Sequence, residues 1–147
     1  MKINVTINEV SHENLVDLFS TAIFYNYKWM AYYDYDTYER YAKSEGDCFE
    51  DKLARLLLKG FSITIGDSLA EDEEDVYGNL EHYWDEDEEC MMYTVKLSDV
   101  ISGLEKASKN YNHLERVLML AHDPSQMDIY DADILLQYIV FGEYIYC

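Results

Sequence analysis

The residues in this chain best placed to do chemistry are carboxylates. Glu71, Asp72, Glu73, Glu74 and Asp75 run together, Glu81 follows, and Asp85, Glu86, Asp87, Glu88 and Glu89 close a nineteen-residue stretch that holds no Lys or Arg. Acids at this density can attract a basic protein surface, gather cations, or keep a loop solvated. A calcium site of the EF-hand kind needs a Gly at a sharp turn inside its ligand loop, and 85–89 has none. The cation reading is therefore diffuse screening, and no metal or other cofactor is expected.

Nucleophiles and general bases give weaker signals. His12, His82, His113 and His122 are scattered, and Cys48, Cys90 and Cys147 are odd in number and far apart. These spacings fit neither a zinc site nor a disulfide framework. The phosphate-loop and dinucleotide glycine patterns, the HExxH pair and the nucleophile elbow are all absent. The expectation is a protein that is not an enzyme.

The acidic stretch also contains apolar residues. Val76, Tyr77, Leu80, Tyr83 and Trp84 recur at spacings that suit a short amphipathic helix over 75–84. Either they anchor the stretch to the body or they form the apolar centre of an interface. As a helix, 71–89 would rise ~1.5 Å per residue and carry one charge per ~2.6 Å. Duplex DNA carries one per ~1.7 Å. Extended, the same charges would fall one per ~6 Å.

Several elements must carry this stretch. At 147 residues and 49% apolar, the chain is long and hydrophobic enough for one core despite its net charge of −19. The remaining chain still carries nineteen acids against eleven bases, so it repels nucleic acid and anionic lipid. Residues 2–10 alternate as a strand, with no secretory signal, and no apolar run reaches membrane-spanning length. The expected compartment is the cytoplasm. Ser11 is placed to cap a helix whose apolar face runs through Leu15, Leu18, Phe19, Ala22 and Ile23, to Tyr27 or on towards Tyr33. Residues 25–41 hold seven tyrosines, and Asp34 and Asp36 lie among them. These rings either pack at the core rim or form an aromatic, acidic binding surface. Residues 48–59 read as a helix ended by Gly60, and 61–65 and 91–97 as two strands that pair antiparallel around the acidic connection. Ser98 is placed to cap the next helix, which breaks at 110–112 and resumes over 114–120. A last helix begins near Asp131, with Asp128, Asp131 and Asp133 at its positive end, and stops at Gly142. The apolar residues 143–147 are expected to dock on the body.

The fold class expected is α+β: one domain over 1–147, with a small antiparallel sheet of about three strands against several helices, and an acidic insertion at 71–89.

The run Asp133, Leu135, Leu136, Gln137, Phe141, Gly142, Glu143 and Tyr146 resembles a closing signature of short acidic proteins found in phages and mobile elements. In those, D-x-F-L-Q leads into F-G-E and an aromatic end. The segment 93–104 is also similar, and from there to the end the match spans about a third of the chain. Leu135 stands where Phe is usual. The family has no settled activity, so no catalytic residues carry over. The resemblance implies a phage-type accessory protein. In composition the chain resembles inhibitors that occupy the nucleic-acid-binding surfaces of host defence enzymes, the anti-CRISPR and anti-restriction proteins.

Three functions follow as expectations. The leading one is an inhibitor that mimics nucleic acid on a basic site of a host defence complex, a CRISPR effector first among them. Glu71, Asp72, Glu73, Glu74, Asp75, Asp85, Glu86, Asp87, Glu88 and Glu89 would supply the charge. Tyr77, Tyr83 and Trp84 would supply apolar anchors, and Asp34 and Asp36 would extend the surface. The second is a non-enzymatic oligomeric accessory protein, a homodimer for instance, with a solvated acidic face. The third is a binder of a small molecule or nucleotide signal, and an anionic ligand would require Lys and Arg residues to converge in one pocket.

Overall fold

A computed structural model of the protein describes residues 9–24, 26 and 28–147. The expected strand at 2–10 lies outside these apart from Glu9 and Val10, and so do Tyr25 and Tyr27. The fold is α+β, and the described residues form six α-helices and a four-stranded antiparallel sheet in the order β1-β2-β4-β3.

Helix α1, His12–Phe19, begins where Ser11 caps it: the Asn14 N–H donates to Ser11 Oγ at 3.0 Å. It buries Leu15, Leu18 and Phe19 and ends in a π-helical turn, Ser20–Phe24. The chain then turns into strand β1, Trp29–Tyr32, so the helix does not continue towards Tyr33. Helical periodicity is overridden here by pairing, because β1 lies antiparallel to β2, Ile63–Asp67, with Trp29 opposite Asp67 and Tyr32 opposite Thr64. Between these strands come the short helix α2, Tyr35–Thr37, a second π-helical turn at Tyr38–Ala42, and α3, Phe49–Leu58. Helix α3 buries Leu53, Ala54, Leu56 and Leu57. Gly60, at φ +92°, supplies the left-handed residue that stops it.

Strand β3, His82–Asp85, precedes β4, Cys90–Val95, which also pairs with β2. Of its four strands, β2 and β4 are those the sequence reading expects; β1 and β3 are not, and β3 comes from inside the acidic stretch. Side chains alternate between two faces. Trp29, Ile63, Ile65, Met91, Tyr93 and Val95 join the main core. Met92 and Cys90 lie on the other face, buried but outside that core. Gly66 makes room for them: a Cβ there would stand 3.0 Å from Met92 Sδ and 3.2 Å from Cys90 Sγ.

Helix α4, Leu97–Ser108, starts two residues earlier than Ser98 would place it, because the Asp99 carboxylate accepts the Lys96 N–H at 2.8 Å. Helix α5 is Leu114–His122. Helix α6, Ile129–Phe141, is buried without a break from Ala132 to Phe141, the pattern of a central helix. Helix α4 crosses it at close range at Gly103, where a Cβ would come within 2.4 Å of Ile139 Cα.

Asp128 and Asp131 cap α6 reciprocally, whereas Asp133 turns inward rather than serving the helix dipole. It accepts hydrogen bonds from Trp29 Nε1 at 2.6 Å, Lys28 Nζ at 3.1 Å and Gln137 Nε2 at 3.0 Å. Gln137 Oε1 in turn accepts the N–H groups of Ile145 and Tyr146, at 2.9 and 2.8 Å. The Tyr146 hydroxyl donates to Asp67 at 2.8 Å. Burial pushes the Asp67 carboxyl up, and burial together with the Asp67 carboxylate pushes the Tyr146 phenol up. These bonds dock the closing residues across α6 and the end of β2.

Candidate protein-binding surface

Residues 75–84 do not form the expected helix, nor does any other part of 71–89. Gly78 adopts φ +77°, and a Cβ on it would stand 2.6 Å from the Phe141 carbonyl oxygen. A continuous helix cannot pass that point, and β4 offers the following residues a ladder instead. The duplex-like charge spacing calculated for a helix does not apply. The carboxylates fall into two clusters, 71–75 and 85–89, on either side of an anchored segment and β3.

Carboxylates hold the backbone of each cluster in place. Asp75 Oδ2 accepts the Glu71 N–H at 2.7 Å, and Asp72 Oδ1 accepts the Glu74 N–H at 2.8 Å. Asp85 Oδ1 accepts the N–H groups of both Asp87 and Glu88 at 3.0 Å, closing the β3–β4 turn. Such Asx turns replace a backbone partner by a side chain. Glu89 completes the turn at φ +52°, a left-handed conformation unusual for a residue with a side chain.

The apolar residues of the stretch divide into two groups. Val76, Tyr77, Leu80 and Trp84 pack on the core. The Tyr77 ring meets Phe141 and Tyr146 edge-on at 5.4 and 5.7 Å, and its N–H donates to Tyr93 Oη at 3.2 Å. Tyr77 and Trp84 thus anchor the stretch to the body. Tyr83 is 54% exposed and remains free to meet a partner.

Of the eleven carboxylates, Asp75 and Asp85 are half-buried and the rest exposed. Among the described residues, the five ion pairs are His12–Asp51, Lys28–Asp133, Lys43–Glu39, Arg55–Asp47 and Arg116–Asp131. None uses an acid of 71–89. The field of this surface is felt nearby. Burial, then the Asp85 and Glu88 carboxylates, push the Cys90 thiol up to about 11. Burial and then Glu88 raise the phenol of Tyr32.

Asp34 and Asp36 stand apart from the hairpin. Asp34 caps α2, accepting the Thr37 N–H at 2.8 Å, a bond that holds its carboxyl low. Both residues follow β1, on the far edge of the sheet from β3, about 14 Å across at ~4.8 Å per strand. The tyrosines around them take different places. Tyr38 is buried and donates to Asp47 at 2.6 Å, and Tyr33 packs against it. Tyr35 and Tyr41 are exposed.

Two features escape the sequence reading. The Asp133–Gln137 network has a visible trace: an acid and an amide four residues apart inside an apolar helix. The second has none. His12, Lys43, Arg55 and Lys59, with Tyr41, line a cavity of about 370 Å³. Basic residues do converge there, but Glu39, Asp47 and Asp51 pair with Lys43, Arg55 and His12, which cancels most of its attraction for an anion.

Among the described residues no group of three His, Cys, Asp or Glu side chains is placed to hold a metal ion, and no helix is long and apolar enough to cross a membrane. Compared with protein-family models, curated proteins and solved structures, the chain finds no match.

Proposed function

We propose that the protein is a non-enzymatic, phage-type anti-defence inhibitor. Its acidic surface occupies the basic site in which a host defence complex holds nucleic acid, with a CRISPR effector as the leading target. The observation that carries this reading is that, among the described residues, none of the eleven acids of 71–89 has a basic partner, whereas Glu39, Asp47, Asp51, Asp131 and Asp133 elsewhere each do. An unneutralised, ordered acidic surface releases its counterions when it meets a basic groove, as nucleic acid does. Both clusters are fastened to the body through Tyr77 and Trp84, so little ordering entropy is lost on binding. Tyr83 offers an exposed ring beside the charge.

The test is a pull-down from host lysate at low and at high salt, with the captured proteins identified by mass spectrometry. The expected result is a nucleic-acid-binding effector that is captured at low salt, lost at high salt and displaced by its own guide or target nucleic acid. Capture that is indifferent to salt and to nucleic acid would overturn the proposal.

A further inference from the structure

The two outer strands of the sheet are treated differently. Strand β1 is flanked by the π-helical turn Ser20–Phe24, whereas among the described strands and helices β3 makes its substantial contacts with β4 alone. The Thr94 N–H donates to the Glu81 carbonyl at 2.8 Å, which fixes the alternation along β3. Tyr83 and Asp85 exchange bonds with β4, so the N–H and C=O groups of His82 and Trp84 point away from the sheet. Among the described residues, no backbone bond from another element reaches them. An open row of donors and acceptors is a template for one more strand.

The side chains along this edge indicate what that strand must carry. Glu81, Tyr83 and Asp85 share one face at a spacing of two, with Cβ atoms ~6.7 Å apart. Acid, exposed ring and acid form a stripe, and 86–89 continue the charge beyond it. A second copy of this chain would bring the same acids face to face, and like charges directly opposite are unfavourable. A strand with Lys or Arg at every second position would set cations against Glu81 and Asp85, and one over the Tyr83 ring.

We propose that the free edge of β3 receives an extended, basic peptide segment of the partner as a fifth strand, with Lys or Arg alternating along the face that meets Glu81, Tyr83 and Asp85. This rests on the reading of 71–89 as a surface for a basic partner, and adds how the two backbones meet.

The experiment titrates the full chain at low salt with a short peptide alternating Lys and Val. A second peptide has the same sequence but is N-methylated at the amides that would face β3. A third has the same composition with its lysines contiguous. The expected result is slowed hydrogen exchange at the His82 and Trp84 amides with the alternating peptide, and binding about tenfold weaker for the other two, the equivalent of one or two lost hydrogen bonds. Equal binding of all three, or no protection at His82 and Trp84, overturns the strand and leaves the acidic surface as a purely electrostatic site. Failure of all three to bind overturns the strand and counts against the acidic surface as well.

Discussion

Carboxylates are treated in opposite ways in two parts of this molecule. Around α6 they lie inside, and each has a donor of its own: Asp133 takes Trp29, Lys28 and Gln137, and Asp67 takes Tyr146. In 71–89 they lie outside, and the donors they have are backbone N–H groups of their own turns. A backbone N–H shapes a turn but brings no formal positive charge, so the surface is ordered without being neutralised. The buried acids are fixed by side chains contributed from distant parts of the chain. The comparison teaches that order and charge compensation are separable: the first region has both, the second only order.

The largest expected effect breaks the first region. Asp133→Ala leaves Lys28 and the Trp29 indole without their buried acceptor, and should lower stability by about 3–5 kcal/mol, read by denaturant unfolding. Any partner affinity that survives should be unchanged per folded molecule. Next comes the second region. Reversing Glu86, Asp87, Glu88 and Glu89 to Lys should weaken binding to the basic partner on the order of hundredfold at low salt. The same variant should unfold within about 0.5 kcal/mol of the parent, since none of these side chains forms an ion pair with the body. Unchanged affinity would sink the charge argument.

Asp85→Ala tests order apart from charge. It removes one charge and two hydrogen bonds, and should cost about 1 kcal/mol while raising amide exchange at Asp87 and Glu88. The smallest effect concerns pH. The Cys48 thiol, then His12, hold the Asp51 carboxyl down at about 2. The unfolded value is about 3.9. A depressed folded value gives stability that is present above the unfolded value and lost as pH falls through the folded one. Asp51→Asn should therefore be less stable than the parent at neutral pH. The gap should close between about pH 4 and 2, followed by thermal unfolding across an acid titration.

The features legible in the sequence are those decided locally. Ser11 caps α1, the helix read over 48–59 is α3, Gly60 and Gly142 stop their helices, and β2 pairs with β4 across the acidic connection. Strands β1 and β3 were not legible, because neither exists without a partner distant in sequence. Trp29 and Met30 fit a helical face as well as a strand until β2 is alongside. The same holds for Tyr83 and Trp84 until β4 is there. The candidate surface is visible as composition, but its division into anchors and exposed residues is not. Tyr77 and Tyr83 are the same residue type six positions apart, and only the fold turns one inward and leaves the other out. In the resembling run, Asp133, Gln137, Phe141, Gly142 and Tyr146 all have structural work in the docking of the closing residues.

Glu89 bears on descent through its backbone. Its left-handed backbone suits Gly or Asn, and a glutamate there costs a strain that folding alone would remove. Random substitution in relatives under selection for the fold alone should drift to Gly at this place. A lineage that keeps an acid there is preserving the charge at the expense of the hairpin, so this single position records in each relative which of the two was the more valuable.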